Sequence, residues 1–374
     1  MAYECPLIEV SGAPHARGVA YGEQARERIL RGVAHYSEQL RASAFDEKDL
    51  AEVASQLVPL IEAFDLSLVD EMRGIAKGAD IPFEHILLLN ARTEVLQLAA
   101  RRANKRPVDP VPDGCTGVIV LPSATSHGKL IHAQNWDWKV ECAETAVVLH
   151  VRRDDGPDVL TFTEAGGLAR AGMNAAGIAI TGNYLESDRD YQRLGVPLAL
   201  IRRNALEQEH LALAMKAIYC TEKSASNNMM VSHAEGVAID FECAPDETFQ
   251  VQPNNGLLVH ANHWQSPVAL AKIKDTGIKS TPDSLYRDTR VEGALAPHVG
   301  KIDASHVKNA LMDKFGYPWS VCRPPRQSNK NNLSATVAMI VMEPATGRME
   351  VAMLPAENAT FLQYSIQSTF SKVA

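Results

Sequence analysis

The sequence has no apolar run that approaches the roughly 20 residues a membrane-spanning helix needs, so we expect no membrane partner. Its first residues, Met1 to Pro6, lack a basic stretch followed by an apolar core, and no signal peptide is expected. It also lacks long Lys/Arg runs, and its net charge of -8 argues against a nucleic-acid partner. Its 374 residues, 46% hydrophobic and 22% charged, are typical of a globular protein with an ample core.

Cysteine is scarce and scattered. The six cysteines stand at positions 5, 115, 142, 220, 243 and 322 without a CxxC pair, which indicates neither a zinc site nor a disulfide framework. Reduced thiols are typical of the cytoplasm, and we predict that location. His132, His260 and His263 lack a compact ligand spacing, so we expect no metal. Gly166-Gly167 lacks the strand–GxGxxG–helix setting of a nucleotide site, so no cofactor is expected.

Helical and strand patterns occupy different parts of the chain. Apolar residues recur every three or four positions from about Pro14 to Ala103, whereas strand patterns separated by turn signals dominate after residue 115. Helices are also predicted at 196–204, 207–218, 283–296 and 303–312. Strands and helices in blocks indicate an α+β layered domain and not a series of βαβ units.

The stretch from Asp113 to Trp138 contains the strongest chemical signal. Gly114-Cys115 precedes an apolar strand, and a turn at 126–129 leads into a returning strand that contains Asp137. That hairpin would bring Asp137 back beside Cys115. A nucleophile with an orienting carboxylate is one interpretation. A buried cysteine packed as a small hydrophobe is the other, and for one cysteine alone it is the more common case.

Seven short segments are spread over nearly the whole chain: EMRGIAKG (71–78), LNARTE (89–94), DGCT (113–116), QNWD (134–137), TEAG (163–166), VHANH (259–263) and YPWSVCR (317–323). In this order they resemble segments of the acyl-coenzyme A:6-aminopenicillanate (isopenicillin N) acyltransferase-like family of self-cleaving N-terminal nucleophile (Ntn) cysteine hydrolases. The resemblance implies the four-layer αββα sandwich of the Ntn fold, in which helices cover two stacked antiparallel sheets.

The resemblance also implies that the chain cuts itself between Gly114 and Cys115. Residues 1–114 would then form a helical α subunit, and residues 115–374 the Ntn core, as an α/β heterodimer that builds one structural domain. An α-amino group has an unperturbed pKa of about 7.7–8.0, so the freed amine can act as general base for its own thiol. We expect glycine at position 114 because it permits the strained backbone of an N-to-S acyl shift.

Further site residues follow from the same resemblance. Asp137 would orient the cysteine amine, while the Asn262 side chain and the Tyr184 backbone N–H would bind the oxyanion. Trp264 and Trp319 stand beside family segments and would line an acyl pocket.

Two family features are missing. Gly117 stands where the acyltransferase has a threonine, and the stretch 331–336 lacks the arginine of the family's Ser-Arg pair. We expect Arg323, Arg326 or Lys330 to supply that cation from nearby, with Arg323 also a candidate for substrate binding.

These observations predict an enzyme that cleaves a small-molecule acyl amide, or transfers its acyl group, through an S-acyl intermediate on Cys115. Because the acyltransferase's special residues are altered, hydrolysis is favoured over transfer. One alternative is a coenzyme A-dependent N-acyltransferase that acts on a penicillin-like or other amine, with a coenzyme A thioester as acyl donor. Another is an uncleaved, non-catalytic binding protein. The acyl group, the amine and the oligomeric state are left open.

Overall fold

The computed structural model describes residues 5–103, 114–327 and 333–367, and the strands of these residues form two sheets. The first sheet contains, in spatial order, β1 (Leu7–Ser11), β4 (Ala146–Arg152), β5 (Val159–Glu164), β6 (Ala171–Asn174), β7 (Ile178–Tyr184), β8 (Asn227–His233), β9 (Val237–Cys243) and β10 (Thr248–Val251). The second contains β11 (Leu257–His260), β2 (Cys115–Val120), β3 (Ile131–Lys139), β13 (Leu333–Glu343), β14 (Arg348–Met353) and β15 (Leu362–Ser365), with β12 (Arg326–Gln327) beside β13.

Helices cover the outer faces of both sheets. They are α1 (Pro14–Gln24), α2 (Arg26–Ala42), α3 (Glu47–Ala79), α4 (Phe83–Asn90), α5 (Arg92–Arg102), α6 (Leu198–Leu206), α7 (Leu211–Cys220), α8 (Pro267–Lys272), α9 (Ser284–Leu295) and α10 (Ala304–Leu311). Helices α6 and α7 pack on the first sheet, α9 and α10 pack on the second, and β2 and β3 face β7 between the sheets. The predicted α+β, four-layer αββα sandwich is therefore confirmed. None of the described helices is long and apolar enough to cross a membrane.

One strand pair departs from the predicted antiparallel sheets. Strands β1 and β4 run parallel, with Leu7 opposite Val148, while the other pairs of neighbouring strands are antiparallel. A parallel pair needs a long connection, and here the helices α1 to α5 lie between the two strands in the chain. The N-terminal segment thus contributes a strand to the first sheet as well as helices.

Four glycines allow α1 and α3 to touch backbone to backbone. They occur at four-residue spacing, as Gly18 and Gly22 on α1 and Gly74 and Gly78 on α3. A Cβ at Gly18 would lie 2.2 Å from the Glu71 carbonyl oxygen, and one at Gly78 would lie 2.1 Å from the Val19 carbonyl oxygen. Any larger residue would force the helices apart, which explains the glycines of the EMRGIAKG segment.

Buried polar contacts join the N-terminal helices to the rest of the fold. The Glu71 carboxylate on α3 lies 2.8 Å from Arg203 Nη2 on α6, and both side chains are buried. Arg92 Nε on α5 donates to Glu164 Oε2 at 2.7 Å. Asn90 Nδ2 donates to the Gly166 carbonyl at 2.9 Å. The LNARTE and TEAG segments therefore pack on each other across the predicted cleavage site.

Candidate active site

Cys115 is the first residue of β2, and hydrogen bonds hold its backbone on both sides. Its N–H donates to Asn262 Oδ1 at 2.8 Å, and Arg287 Nη1 donates to its carbonyl oxygen at 2.7 Å. Cys115 lies opposite Trp136 on β3, so the next pair along the two strands is Gly114 and Asp137. The predicted hairpin is thus confirmed, and it brings Asp137 beside the Gly114–Cys115 peptide.

Gly114 lies where a side chain would have little room, and the predicted backbone strain at this position stays a prediction. Its φ is not in the positive region that favours glycine. A Cβ at this position would lie 2.4 Å from Arg323 Nη1 and 2.5 Å from Asp137 Oδ2. Since these groups are buried and held by other contacts, only glycine fits between them and the cysteine.

The Asp137 carboxylate is held by an alcohol and a cation. Thr336 Oγ1 donates to Asp137 Oδ1 at 2.6 Å, and Arg323 Nε lies 3.1 Å from Asp137 Oδ2. Burial raises the pKa of Asp137, and the Arg323 and Arg287 guanidiniums act against that rise. Of the three cations considered for this position, Arg323 makes the ion pair, whereas Lys330 lies outside the described residues.

A buried group of charges surrounds the cysteine, and the sequence analysis missed part of it. Asp283 Oδ2 accepts from Arg287 Nε at 2.8 Å and also from Arg323 Nη2. Burial alone would raise the pKa of Asp283, but the two arginines outweigh it and lower the pKa. Helix α9 buries Arg287 on the same face as Val291 and Leu295. An arginine on the apolar face of a predicted helix was the available signal.

The contacts of Asn262 fix the orientation of its amide. Both Cys115 N and Arg287 Nη2 donate to the same atom, so that atom is the acceptor Oδ1, at 2.8 Å from each donor. Asn262 Nδ2 donates one hydrogen to the Tyr184 carbonyl at 2.8 Å. A side-chain amide nitrogen carries two hydrogens, so one is left for an oxyanion.

A polar pocket opens beside Cys115. Tyr184, Asn183 and Asn227 line it from the first sheet, and Arg92 and Glu94 line it from α5. Cys115 is one of the residues that line this pocket. Two of the predicted site residues, Cys115 and Tyr184, therefore share one cavity.

The two tryptophans predicted to line an acyl pocket lie away from that cavity. Trp264 is buried against Leu185 and Phe249 in a small apolar cluster, and its Nε1 donates to the Glu186 carbonyl at 3.0 Å. Trp319 is 49% exposed, and Arg326 stacks on its ring. Neither lines the pocket beside Cys115.

One buried group among the described residues has a donor set that could hold a metal ion. It consists of Asp240, Glu242 and His260. His260 Nε2 lies 2.8 Å from Glu242 Oε1, while Nδ1 lies 3.0 Å from the Ala261 carbonyl oxygen. Each of these two oxygens accepts a hydrogen bond, so each ring nitrogen must carry a proton. We therefore interpret His260 as an imidazolium that balances a carboxylate. The absence of a metal stays a prediction.

The chain matches a known enzyme family. The sequence profile of the acyl-coenzyme A:6-aminopenicillanic acid acyl-transferase family matches residues 123–355. The chain belongs to this family. Membership confirms the resemblance found in the sequence and the prediction of an enzyme of the Ntn cysteine amidohydrolase and acyltransferase class.

Similar proteins are found among curated sequences and solved structures. The acyl-coenzyme A:6-aminopenicillanic-acid-acyltransferase 40 kDa form of Emericella nidulans is 28% identical over 322 residues, which cover 84% of each chain. A variant of the conjugated bile acid hydrolase from Clostridium perfringens has 14% identity and a TM-score of 0.46, and covers 67% of this chain and 92% of its own. Penicillin V acylase from Agrobacterium tumefaciens has 13% identity and a TM-score of 0.42, covering 67% and 86%.

Proposed function

We propose that this protein is a self-processing amidohydrolase whose nucleophile is the thiol of Cys115. The observation that carries the proposal is the set of contacts around one peptide bond. The Gly114 carbonyl accepts from the Asp137 backbone N–H, and the Cys115 N–H donates to Asn262 Oδ1. The peptide to be cut is thus held at both polar atoms next to the attacking thiol.

Processing would proceed by an N-to-S acyl shift. Cys115 Sγ attacks the Gly114 carbonyl carbon, and the C–N bond is replaced by a thioester as the proton passes to nitrogen. Water then hydrolyses the thioester, which leaves a carboxylate on Gly114 and a free amine on Cys115. The polarising bond from Asp137 N–H favours attack because charge develops on that carbonyl oxygen.

After processing, the amine of Cys115 would serve as general base for its own thiol. Asn262 Oδ1 and the Asp137 carboxylate would hold that amine, and Arg323 would hold the carboxylate. The remaining Asn262 Nδ2 hydrogen and the Tyr184 N–H would bind the substrate oxyanion. Water would release the acyl group from the thioester, so no cofactor is needed.

Intact-mass measurement tests this proposal. We expect two pieces, residues 1–114 and 115–374, in the purified protein, and one uncut, inactive chain of 40.8 kDa for Cys115→Ala. Cys220→Ala, which changes an exposed free cysteine, is the matched control and should be cut normally. Amide hydrolysis is assayed as amine released from N-acyl amides. An uncut wild-type chain with full turnover, or an active Cys115→Ala protein, would refute the mechanism.

Transfer of the acyl group to an amine is a second candidate, favoured by the likeness to the Emericella nidulans acyltransferase. In that case a coenzyme A thioester would acylate Cys115, and an amine would take the place of water. Incubation with an acyl-coenzyme A and an amine separates the candidates, since transfer yields an acyl amine and hydrolysis yields the free acid. A cytoplasmic location stays part of the proposal.

A further inference from the structure

A buried ion pair, Glu242 and His260, holds the loop that presents Asn262. Neither side chain is exposed to solvent, and His260 Nε2 lies 2.8 Å from Glu242 Oε1. The same carboxylate accepts from the backbone N–H groups of Gln265, at 2.5 Å, and Ser266, at 3.0 Å. Glu242 belongs to the first sheet and His260 ends a strand of the second. The pair therefore anchors the loop on both sides of Asn262 and joins the two sheets.

The peptide that leads into Asn262 is held at both of its polar atoms. His260 Nδ1 donates to the Ala261 carbonyl oxygen at 3.0 Å, and the Asn262 N–H donates to Ser284 Oγ at 2.7 Å. A peptide unit is planar, so bonds at its oxygen and its nitrogen fix its orientation. That orientation determines the direction in which the Asn262 side chain leaves the backbone. The His260 ring thus helps to place the Asn262 amide.

The backbone of His260 reaches the other proposed oxyanion donor. Its carbonyl oxygen accepts from Asn183 Nδ2 at 3.0 Å. Asn183 lies on β7 and directly precedes Tyr184, whose N–H is that second donor. The Tyr184 carbonyl in turn accepts from Asn262 Nδ2 at 2.8 Å. The two donors come from different sheets, and His260 contacts the chain next to each of them.

We propose that His260 is a positioning residue of the oxyanion hole. Its ring places the Asn262 amide, and its carbonyl oxygen places the strand that carries the Tyr184 N–H. His260 does not line the pocket beside Cys115, so it acts through these neighbours and not by contact with the substrate. The inference rests on the proposed function, which assigns the oxyanion to Asn262 and Tyr184.

Two substitutions separate positioning from packing. His260→Asn keeps an amide N–H at the place of Nδ1, within reach of the Ala261 carbonyl, but it gives up the bond to Glu242. His260→Leu gives up both bonds. Both variants leave Glu242 without its cation, so we expect similar losses of Tm. If the ring positions Asn262, His260→Asn should keep much more of the activity than His260→Leu.

Turnover is measured on processed enzyme with the p-nitroanilides of acetic, butyric, hexanoic and octanoic acids. His260→Leu should lower kcat by about 10- to 100-fold, the range of loss that a misplacement of about 1 Å can cause, with little change in KM. The rate of self-cleavage, followed by intact mass, gives the same comparison without an added substrate, because Asn262 Oδ1 holds the Cys115 N–H before the cut. His132→Leu is the matched control, since His132 is equally buried but bonds Ser232 and Thr181. It should lower Tm and leave kcat near the wild-type value.

A double-mutant cycle shows whether the effect passes through Asn262. In the Asn262→Ala background, His260→Leu should cause little further loss of kcat, because a residue that acts through a side chain has no effect once that side chain is gone. Equal kcat in His260→Asn and His260→Leu, or full additivity with Asn262→Ala, overturns the inference while the proposed function stands. A normal kcat in Asn262→Ala alone would refute the proposed oxyanion hole, and the inference with it.

Discussion

The backbone N–H of Asp137 donates a hydrogen bond to the carbonyl oxygen of Gly114, at 2.8 Å. In the proposed mechanism the same residue has two roles. Its backbone N–H would polarise the bond that is to be cut, while its carboxylate, held by Arg323 and Thr336, would orient the new amine. Substitutions near this residue can therefore change processing and turnover together, and the two must be measured separately.

Substitutions of Asn262 can separate effects on processing from effects on turnover. Asn262→Asp keeps the oxygen that accepts from Cys115 N and Arg287, but it removes the Nδ2 donor. Asn262→Ala removes both. We expect Asn262→Ala to slow cleavage more than Asn262→Asp does. On processed enzyme both should lower kcat by about 10²–10³, as loss of one oxyanion donor does, with little change in KM. A normal kcat with a raised KM would instead assign Asn262 to substrate binding.

Gly114→Ala tests the close approach at the cleavage site. The new Cβ would collide with the Asp137–Arg323 ion pair, and overpacking of this kind costs about 1–3 kcal/mol. We expect a mostly uncut chain on a denaturing gel. The matched control is Gly293→Ala on α9, where a Cβ has no neighbour within 4 Å, and that protein should be cut normally. Complete cleavage of Gly114→Ala would show that the cleavage site does not need the space that glycine leaves beside the Asp137–Arg323 ion pair.

Arg323→Met removes the cation shared by Asp137 and Asp283. Breaking a buried ion pair leaves carboxylates unpaired and typically costs about 3–5 kcal/mol. The pKa of Asp137 should rise further, because burial then acts with less opposition. The acid limb of the kcat/KM profile should move to higher pH, less so for Arg323→Lys. Arg290→Met, which breaks an exposed pair with Asp313, should cost less than about 1 kcal/mol. If the acid limb of Arg323→Met did not shift, Arg323 would have no role in the mechanism.

The buried Asp240–Glu242–His260 group predicts how stability depends on pH. Burial raises the pKa of Asp240 from 3.8 to about 7. The pKa of His260 rises from 6.5 to about 9, because Asp240 and Glu242 outweigh its burial. Both groups bind their protons more tightly in the folded state. Their stabilisation is complete below pH 3.8 and 6.5, respectively, and is lost as pH rises through about 7 and about 9.

Urea denaturation at pH 5, 7 and 9 measures this dependence. The free energy of unfolding should fall as pH rises, by at most about 1.4 kcal/mol per pH unit for each proton. Asp240→Asn should flatten the fall between pH 5 and 7, because the amide has no proton to lose. Asp154→Asn changes an exposed carboxylate and should leave the wild-type dependence in place. An equally steep fall in Asp240→Asn would show that other groups cause it.

The parts of the site that the sequence could predict are those made by local structure. The hairpin that joins Cys115 to Asp137 depends on a short turn and two strand patterns, and the structure contains it. Arg287 was missed because the Cys115 carbonyl that it binds lies 172 residues away in the chain, and charge on a helix is usually solvated. Asp283 was missed because its ion pair with Arg323 joins residues 40 positions apart. Strand β8 was missed because its buried asparagines, among them Asn227, break the apolar pattern of a strand. In both cases the structure depends on contacts between residues that are distant in the sequence.

The division of the pocket between the two sides of the cleavage site has a thermodynamic consequence. Arg92 and Glu94 precede the predicted cut, whereas Cys115, Tyr184 and Asn227 follow it. Before cleavage, refolding is unimolecular and its equilibrium does not depend on protein concentration. After cleavage, the two pieces must meet again, so the denaturation midpoint should rise with protein concentration and a diluted sample should recover poorly. The cut that creates the nucleophile would therefore leave an enzyme that folds efficiently before cleavage but refolds poorly after it.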